Sequence, residues 1–291
     1  MSVPSVKNRF HSIDVTLPPL VRHLFGAIFA VCAVAGFGMV LLAWLRGGAE
    51  SAIALLTFLV VFVAAFVSSV AGFAFSALAG SALVHVYGSP AQAVEIMALC
   101  SVAIQLYAVI VIWRSIEWLR LAPFLAGGVL TVPIAVRLLA HVSFPAFALM
   151  LGSFLIGYSV YMLIRRPQQA WKGNGWVDAA VGALGGISGG LAAFPGAFVT
   201  IWCAVRGWDK STQRAVYQPY ILIMQLVTLA CMQAQRVQMQ VGYASLAYMA
   251  AALFAAHLGL GVFRTLSNRQ FGHVVNGLLM VSGVLLIARV M

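Results

Sequence analysis

Charge is what this sequence has least of. Only 8% of its 291 residues are Asp, Glu, Lys or Arg, against about 25% in a soluble domain. Acids are scarcest: Asp14, Glu50, Glu95, Glu117, Asp178 and Asp209 are all there are, mostly at the ends of apolar segments. That scatter argues against a convergent catalytic set, and a cation carrier would want buried carboxylates, where only Glu95 comes near. There is no Ser-His-Asp arrangement, no Walker A glycine loop and no HExxH. The four cysteines (Cys32, Cys100, Cys203, Cys231) each sit inside an apolar segment without CxxC or zinc spacing, so they read as small core residues. No metal and no cofactor are expected, and the chain does not read as an enzyme. The basic residues form no clustered patch, which excludes nucleic acid as a partner.

Apolar residues fill the gap: 63% are hydrophobic, and mean hydropathy is +1.02. Apolar runs recur at 24–45, 51–71, 73–87, 91–113, 121–139, 146–164, 177–190, 191–205, 215–235, 241–263 and 270–288. Most reach the roughly 17–20 residues that a helix needs to cross a bilayer. In hydrocarbon a segment must satisfy its own backbone, so the expected class is all-α, a polytopic helical membrane protein. Segments 73–87, 177–190 and 191–205 are too short to cross and are expected to be broken or re-entrant. The first run exceeds the roughly 7–15 residues of a signal-peptide core, so 24–50 reads as an extra N-terminal transmembrane helix after a polar tail, 1–23.

The 17 Lys and Arg residues carry the orientation. With the N-terminus inside, Lys7, Arg9, Arg22, Arg114, Arg120, Arg165, Arg166, Lys172, Arg206, Lys210, Arg214, Arg264 and Arg269 are all cytoplasmic. Only Arg46, Arg137, Arg236 and Arg289 fall outside. The positive-inside bias therefore favours a cytoplasmic N-terminus and a cytoplasmic linker at 165–176. Re-entrant hairpins and pairs of crossings give the same parity.

The chain also resembles itself. "AGFAFSALAGSALVHVYG" (71–88) aligns with "SGGLAAFPGAFVTIWCAVRG" (188–207), matching Gly72 to Gly189, Gly80 to Gly196 and Gly88 to Gly207. Gln105 aligns with Gln225 and Arg137 with Arg264. Each copy, 51–164 and 177–291, holds five segments. An odd number enters the second copy from the opposite face, giving two inverted-topology repeats, a pattern common in secondary transporters. Helix breakers fall at matching places in both copies, most densely in "GGISGGLAAFPGAFVTIW" (185–202). Half-helices meeting there would expose N–H groups that attract an anion, with Pro195 suited to a first helical turn. The same glycines also form small-xxx-small stripes (Ser68, Gly72, Ser76, Gly80; Gly182, Gly186, Gly190) that would serve helix packing alone.

"AGFAFSALAG…YGSPAQAV" (71–94) and "ISGGLAAFPG…RGWDKSTQRAVYQP" (187–219) resemble the glycine-rich motifs of the sulfite exporter TauE/SafE family. The family's dense glycine triplet is thinned in both copies. The resemblance covers about 240 residues and omits the N-terminal helix. It implies a multi-pass transporter of the bacterial cell (inner) membrane, carrying sulfite, an organosulfonate or a related small anion.

The candidate substrate-binding residues are Ser69, Gly72, Ser76, Gly80, Gln105, Ser188, Gly189, Gly190, Pro195, Gly196, Thr200 and Gln225. A glutamine amide can donate two hydrogen bonds to an oxyanion, or simply join two helices. The serines and Thr200 can donate hydroxyls or bond their own backbone. His85, Glu95 and His257 are candidates for proton coupling, with an ordinary rim pair or helix contact as the alternative. Arg214 opens the segment after the second motif and either draws anions or obeys the charge bias. Without a nucleotide site, transport runs downhill or on an ion gradient. The competing reading is an integral-membrane partner subunit or enzyme without transport.

Overall fold

A computed structural model describes residues 18–45, 47, 49–87, 90–138, 144–164, 171, 173–192, 194–234, 243–288 and 290. Among these there are eleven α-helices, one 3-10 turn (Trp113–Ser115) and no strand. The helices are α1 Pro19–Leu45, α2 Ala49–Ala71, α3 Phe75–Tyr87, α4 Pro90–Ile112, α5 Trp118–Leu138 and α6 Phe144–Ile164. Then come α7 Gly175–Ala192, α8 Gly196–Val205, α9 Lys210–Ala234, α10 Tyr243–Thr265 and α11 Asn268–Ala288. The eleven apolar runs thus map one to one onto helices. Six described helices are long and apolar enough to cross a membrane: α1, α2, α4, α5, α10 and α11.

Helices α2 and α3 form a hairpin, and so do α7 and α8. The Thr57 hydroxyl of α2 donates to the Tyr87 hydroxyl at the end of α3, 3.1 Å away. Asp178, in the first turn of α7, pairs with Arg206 just past the end of α8 at 2.9 Å. Each hairpin therefore returns to the level it came from. From Thr57 to Ala71, and from Asp178 to Ala192, the chain rises about 21 Å at 1.5 Å per residue. That is about two-thirds of a 30 Å hydrocarbon core. The tips of the two hairpins meet: the Phe73 and Phe194 rings lie 6.3 Å apart.

The packing between the two halves is reciprocal. Helix α7 lies against α5, as α2 lies against α10. Helices α4 and α9 pair with each other, and so do α6 and α11. The α6–α11 pair runs antiparallel: the Ser159 hydroxyl donates to the Asn276 carbonyl and the Asn276 amide to the Ser159 carbonyl, while Gly152 meets Gly283. Helix α1 stands at the edge, with Gly36 against Ala247 and Gly26 against His257 of α10.

Close backbone contact explains Gly127 of α5 and Gly182 of α7. A Cβ on Gly127 would lie 1.9 Å from the Ala179 carbonyl oxygen, and one on Gly182 2.1 Å from that of Phe124. The sequence reading put Gly189 and Gly190 inside the second break. The structure corrects this: both are helical in α7, and the break falls between Ala192 and Gly196. A Cβ on Gly190 would come within 2.6 Å of the Ala135 Cβ on α5, so close helix approach fixes this glycine.

Candidate functional site

The first break is a left-handed turn. Gly72 has φ +85° and Ala74 φ +75°, which reverses the chain over Ala71–Ala74 before α3 starts. Glycine adopts this region freely, whereas alanine does so only under strain. The second break is built differently. Pro195, at φ −69° and ψ −20°, is the N-cap of α8, which has no side-chain cap. Its fixed φ is preset for a helix start. Ser188 holds the turn, donating to the Phe194 carbonyl at 3.0 Å while the Phe194 N–H donates to the Ser188 carbonyl at 3.3 Å. The Ser188 hydroxyl, a substrate candidate by sequence, is thus used by the break itself.

Both tips line one small cavity of about 10 Å³. Its walls are Phe73, Ala74, Phe75 and Ser76 from the first tip, and Phe194, Pro195 and Gly196 from the second. Ser101 and Gln105 of α4 and Ile221 and Gln225 of α9 complete it. These four stand near mid-length of their helices. The first N–H groups of α3 and α8 have no intrahelical acceptor, and both helix starts face this space. Among the described residues no carboxylate lines it. A second cavity of about 50 Å³ shares Ser76, Ser101, Pro195 and Gln225 and adds Met97, Ala98, Gly189, Thr228 and Leu229. It extends toward the start of α4 and the end of α9, the level at which the α2–α3 hairpin enters.

The two glutamines meet here across 120 residues of sequence. Gln105 Nε2 donates to the Gly72 carbonyl at 3.2 Å, and Gln225 Nε2 to the Ser101 hydroxyl at 2.6 Å. Both Oε1 atoms are buried without a partner among the described residues. Ser76, Gly189, Pro195 and Gly196 also line the cavities. Ser69 and Thr200 are buried nearby in sequence, each with a hydroxyl that has no hydrogen-bond partner among the described residues. Gly80 and Gly190 do not line the cavities; they lie in α3 and α7. His257 lies apart from them and bonds through Nδ1 to the Tyr107 hydroxyl, 2.7 Å away. The side chains of His85 and Glu95 lie outside those described.

Sequence reading missed two features. Ser101 lies one turn before Gln105 on the same face of α4, a spacing that could have revealed it. Arg214, read as a residue of the segment opening, is 1% exposed within α9. Its hydrophilic neighbours in "STQRAVYQP" hid that burial.

The family model described as Sulfite exporter TauE/SafE matches residues 56–286. The chain belongs to that family. The match begins in α2 and ends in α11, taking in both hairpins and leaving α1 outside. Comparison with curated proteins and with solved structures returned no match. Family membership and the six membrane-length helices make this TauE/SafE protein a multi-pass membrane transporter.

Proposed function

We propose that this protein is a secondary carrier for a small sulfur-containing anion, sulfite or an organosulfonate, bound where the two hairpin tips meet. The observation that carries this reading is the single cavity shared by the starts of α3 and α8 and by Gln105 and Gln225. Two helix N-termini aimed at one space favour negative charge without burying a full positive charge beside the ligand. The amides add polar capacity that can reorient toward an oxyanion. Among the described residues the lining holds no carboxylate, which argues against a cation.

The reciprocal packing of 51–164 against 177–291 is what an inverted repeat would produce, and such a repeat supports alternating access. On the charge-derived orientation, the N-terminus and the linker are cytoplasmic in a bacterial inner membrane, and the wider cavity leads outward. Coupling to protons through His257, or through His85 and Glu95, is part of the proposal.

The test is flux into proteoliposomes with labelled sulfite, sulfate and an organosulfonate. Saturable uptake of at least one, competed by the others, supports the reading. Flux no greater than that of empty liposomes for all three would overturn it and favour a partner-subunit role.

A further inference from the structure

A helix that breaks inside a membrane exposes two ends of opposite sign. The first half ends in carbonyls and the second begins with N–H groups. Left alone, they largely cancel, and a cavity at the break has no strong preference for either sign.

In the α2–α3 hairpin the carbonyl end is masked. The Ser69 carbonyl accepts a bond from Arg214 Nη2 at 2.5 Å, the Ala71 carbonyl accepts from the Tyr217 hydroxyl, and the Gly72 carbonyl accepts from Gln105 Nε2. The α3 end remains turned to the cavity through Phe75 and Ser76.

Arg214 is the unusual member of this clamp. Its Nε donates to Gln218 Oε1 at 2.8 Å, and its guanidinium stacks 4.1 Å over the Phe263 ring. No carboxylate lies within ion-pair distance among the described residues, and Nη1 is buried without a hydrogen-bond partner. A buried cation without a counter-charge is costly to fold and is kept where its charge is used. Arg214 does not line the cavity. Its charge reaches the ligand through the carbonyls that it covers.

We propose that Arg214 is a specificity-determining positioning residue: it cancels the negative end of the first break, so that the α3 N-terminus gives the cavity a net positive potential. This rests on the anion-carrier reading. A field acts on a ligand in proportion to its charge. A dianion therefore gains about twice the free energy of a monoanion, and the fold-changes are related as a square.

The experiment uses purified full-length protein with methanesulfonate, a fixed monoanion, and sulfate, a dianion at neutral pH. Ligand-dependent thermal stabilisation gives each affinity. Arg214→Gln is expected to weaken methanesulfonate about threefold and sulfate about tenfold, the square relation. Arg214→Lys keeps the wild-type ratio, and Tyr217→Phe, which uncovers the Ala71 carbonyl but removes no full charge, weakens both anions less than Arg214→Gln does. Equal losses in Arg214→Gln, or none, overturn the proposal. If Arg214→Gln does not fold, Arg214→Met carries the test: the same square relation is expected, and equal losses for the two anions overturn the proposal. Wild-type protein that binds neither of these anions nor sulfite overturns the carrier reading and this one with it.

Discussion

Gly72→Ala tests the first break most directly. At φ +85° an alanine pays about 1–2 kcal/mol for the left-handed conformation. Its Cβ would also lie 2.9 Å from Tyr217 Cε2, 3.0 Å from the Tyr217 hydroxyl and 3.3 Å from Arg214 Nε. The ring must shift, and the bond from Tyr217 to the Ala71 carbonyl weakens, at a cost of about 1 kcal/mol. The sum is roughly 2–3 kcal/mol, which lowers an apparent melting midpoint by on the order of 5–10 °C. Ala74→Gly is the internal control. It relieves left-handed strain at φ +75° but adds unfolded-state freedom of about 0.5–1 kcal/mol, so its midpoint should barely move. Melting of both variants in detergent, followed by light scattering and size exclusion, gives the comparison. A neutral Gly72→Ala would mean that α2 does not turn at Gly72, and the tip-to-tip cavity would lose its first wall.

Other expectations follow from the same geometry. Gln105→Leu and Gln225→Leu should each weaken anion binding roughly tenfold to hundredfold, the loss of one charge-assisted hydrogen bond, and lower the melting midpoint by a few degrees through the lost bonds to the Gly72 carbonyl and the Ser101 hydroxyl; unchanged binding would assign both amides to helix packing. Asp178→Asn should destabilise the protein more than the double variant Asp178→Asn/Arg206→Gln, because the single change strands Arg206, whose Nη1 sits 2.9 Å from the carboxylate; equal losses would mean that the pair does not tie α7 to α8. Cysteines at Trp176 and Asp209 should resist an impermeant reagent in intact cells while one at Gly47 reacts; the reverse pattern would invert the topology.

The sequence read well where one physical rule dominated. Hydrocarbon forces helices, so all eleven were visible as apolar runs, even α8 with ten residues. Pro195 was legible as a helix start because proline fixes its own φ. Glycine was ambiguous, because it serves two ends that look alike in sequence. Gly72 needs its positive φ, whereas Gly190 needs only the space that Ala135 leaves. Telling them apart requires knowing which backbone approaches. Gln105 and Gln225 could be paired by alignment, but not their shared cavity, which depends on α4 crossing α9. The burial of Arg214 was hidden for a similar reason: a polar stretch at the start of α9 is covered by the end of α2 and by Phe263, both distant in sequence.

If the two tips gate the cavity, they must separate for an ion to cross. Each hairpin is bound most extensively to a helix of the other half, α7 to α5 and α2 to α10, so each should move with that partner as one body. The weak seam is the tip contact itself. A Cβ on Gly196 would lie 3.4 Å from the Phe73 Cβ, close to the roughly 3.5–4.5 Å of a disulfide. The double variant Phe73→Cys/Gly196→Cys should carry anion when reduced, lose flux on oxidation and recover with dithiothreitol. Gly36→Cys/Ala247→Cys is the control. Its Cβ atoms would be 3.2 Å apart, and it ties α1, which the family match leaves out, to α10. Oxidation there should leave flux intact, because α1 and α10 need not part. Full flux through protein whose tips are shown by mass spectrometry to be cross-linked would mean that the hairpins stay together throughout the cycle, and the moving seam would have to be sought between α4 and α9, the other pair that meets across the cavity.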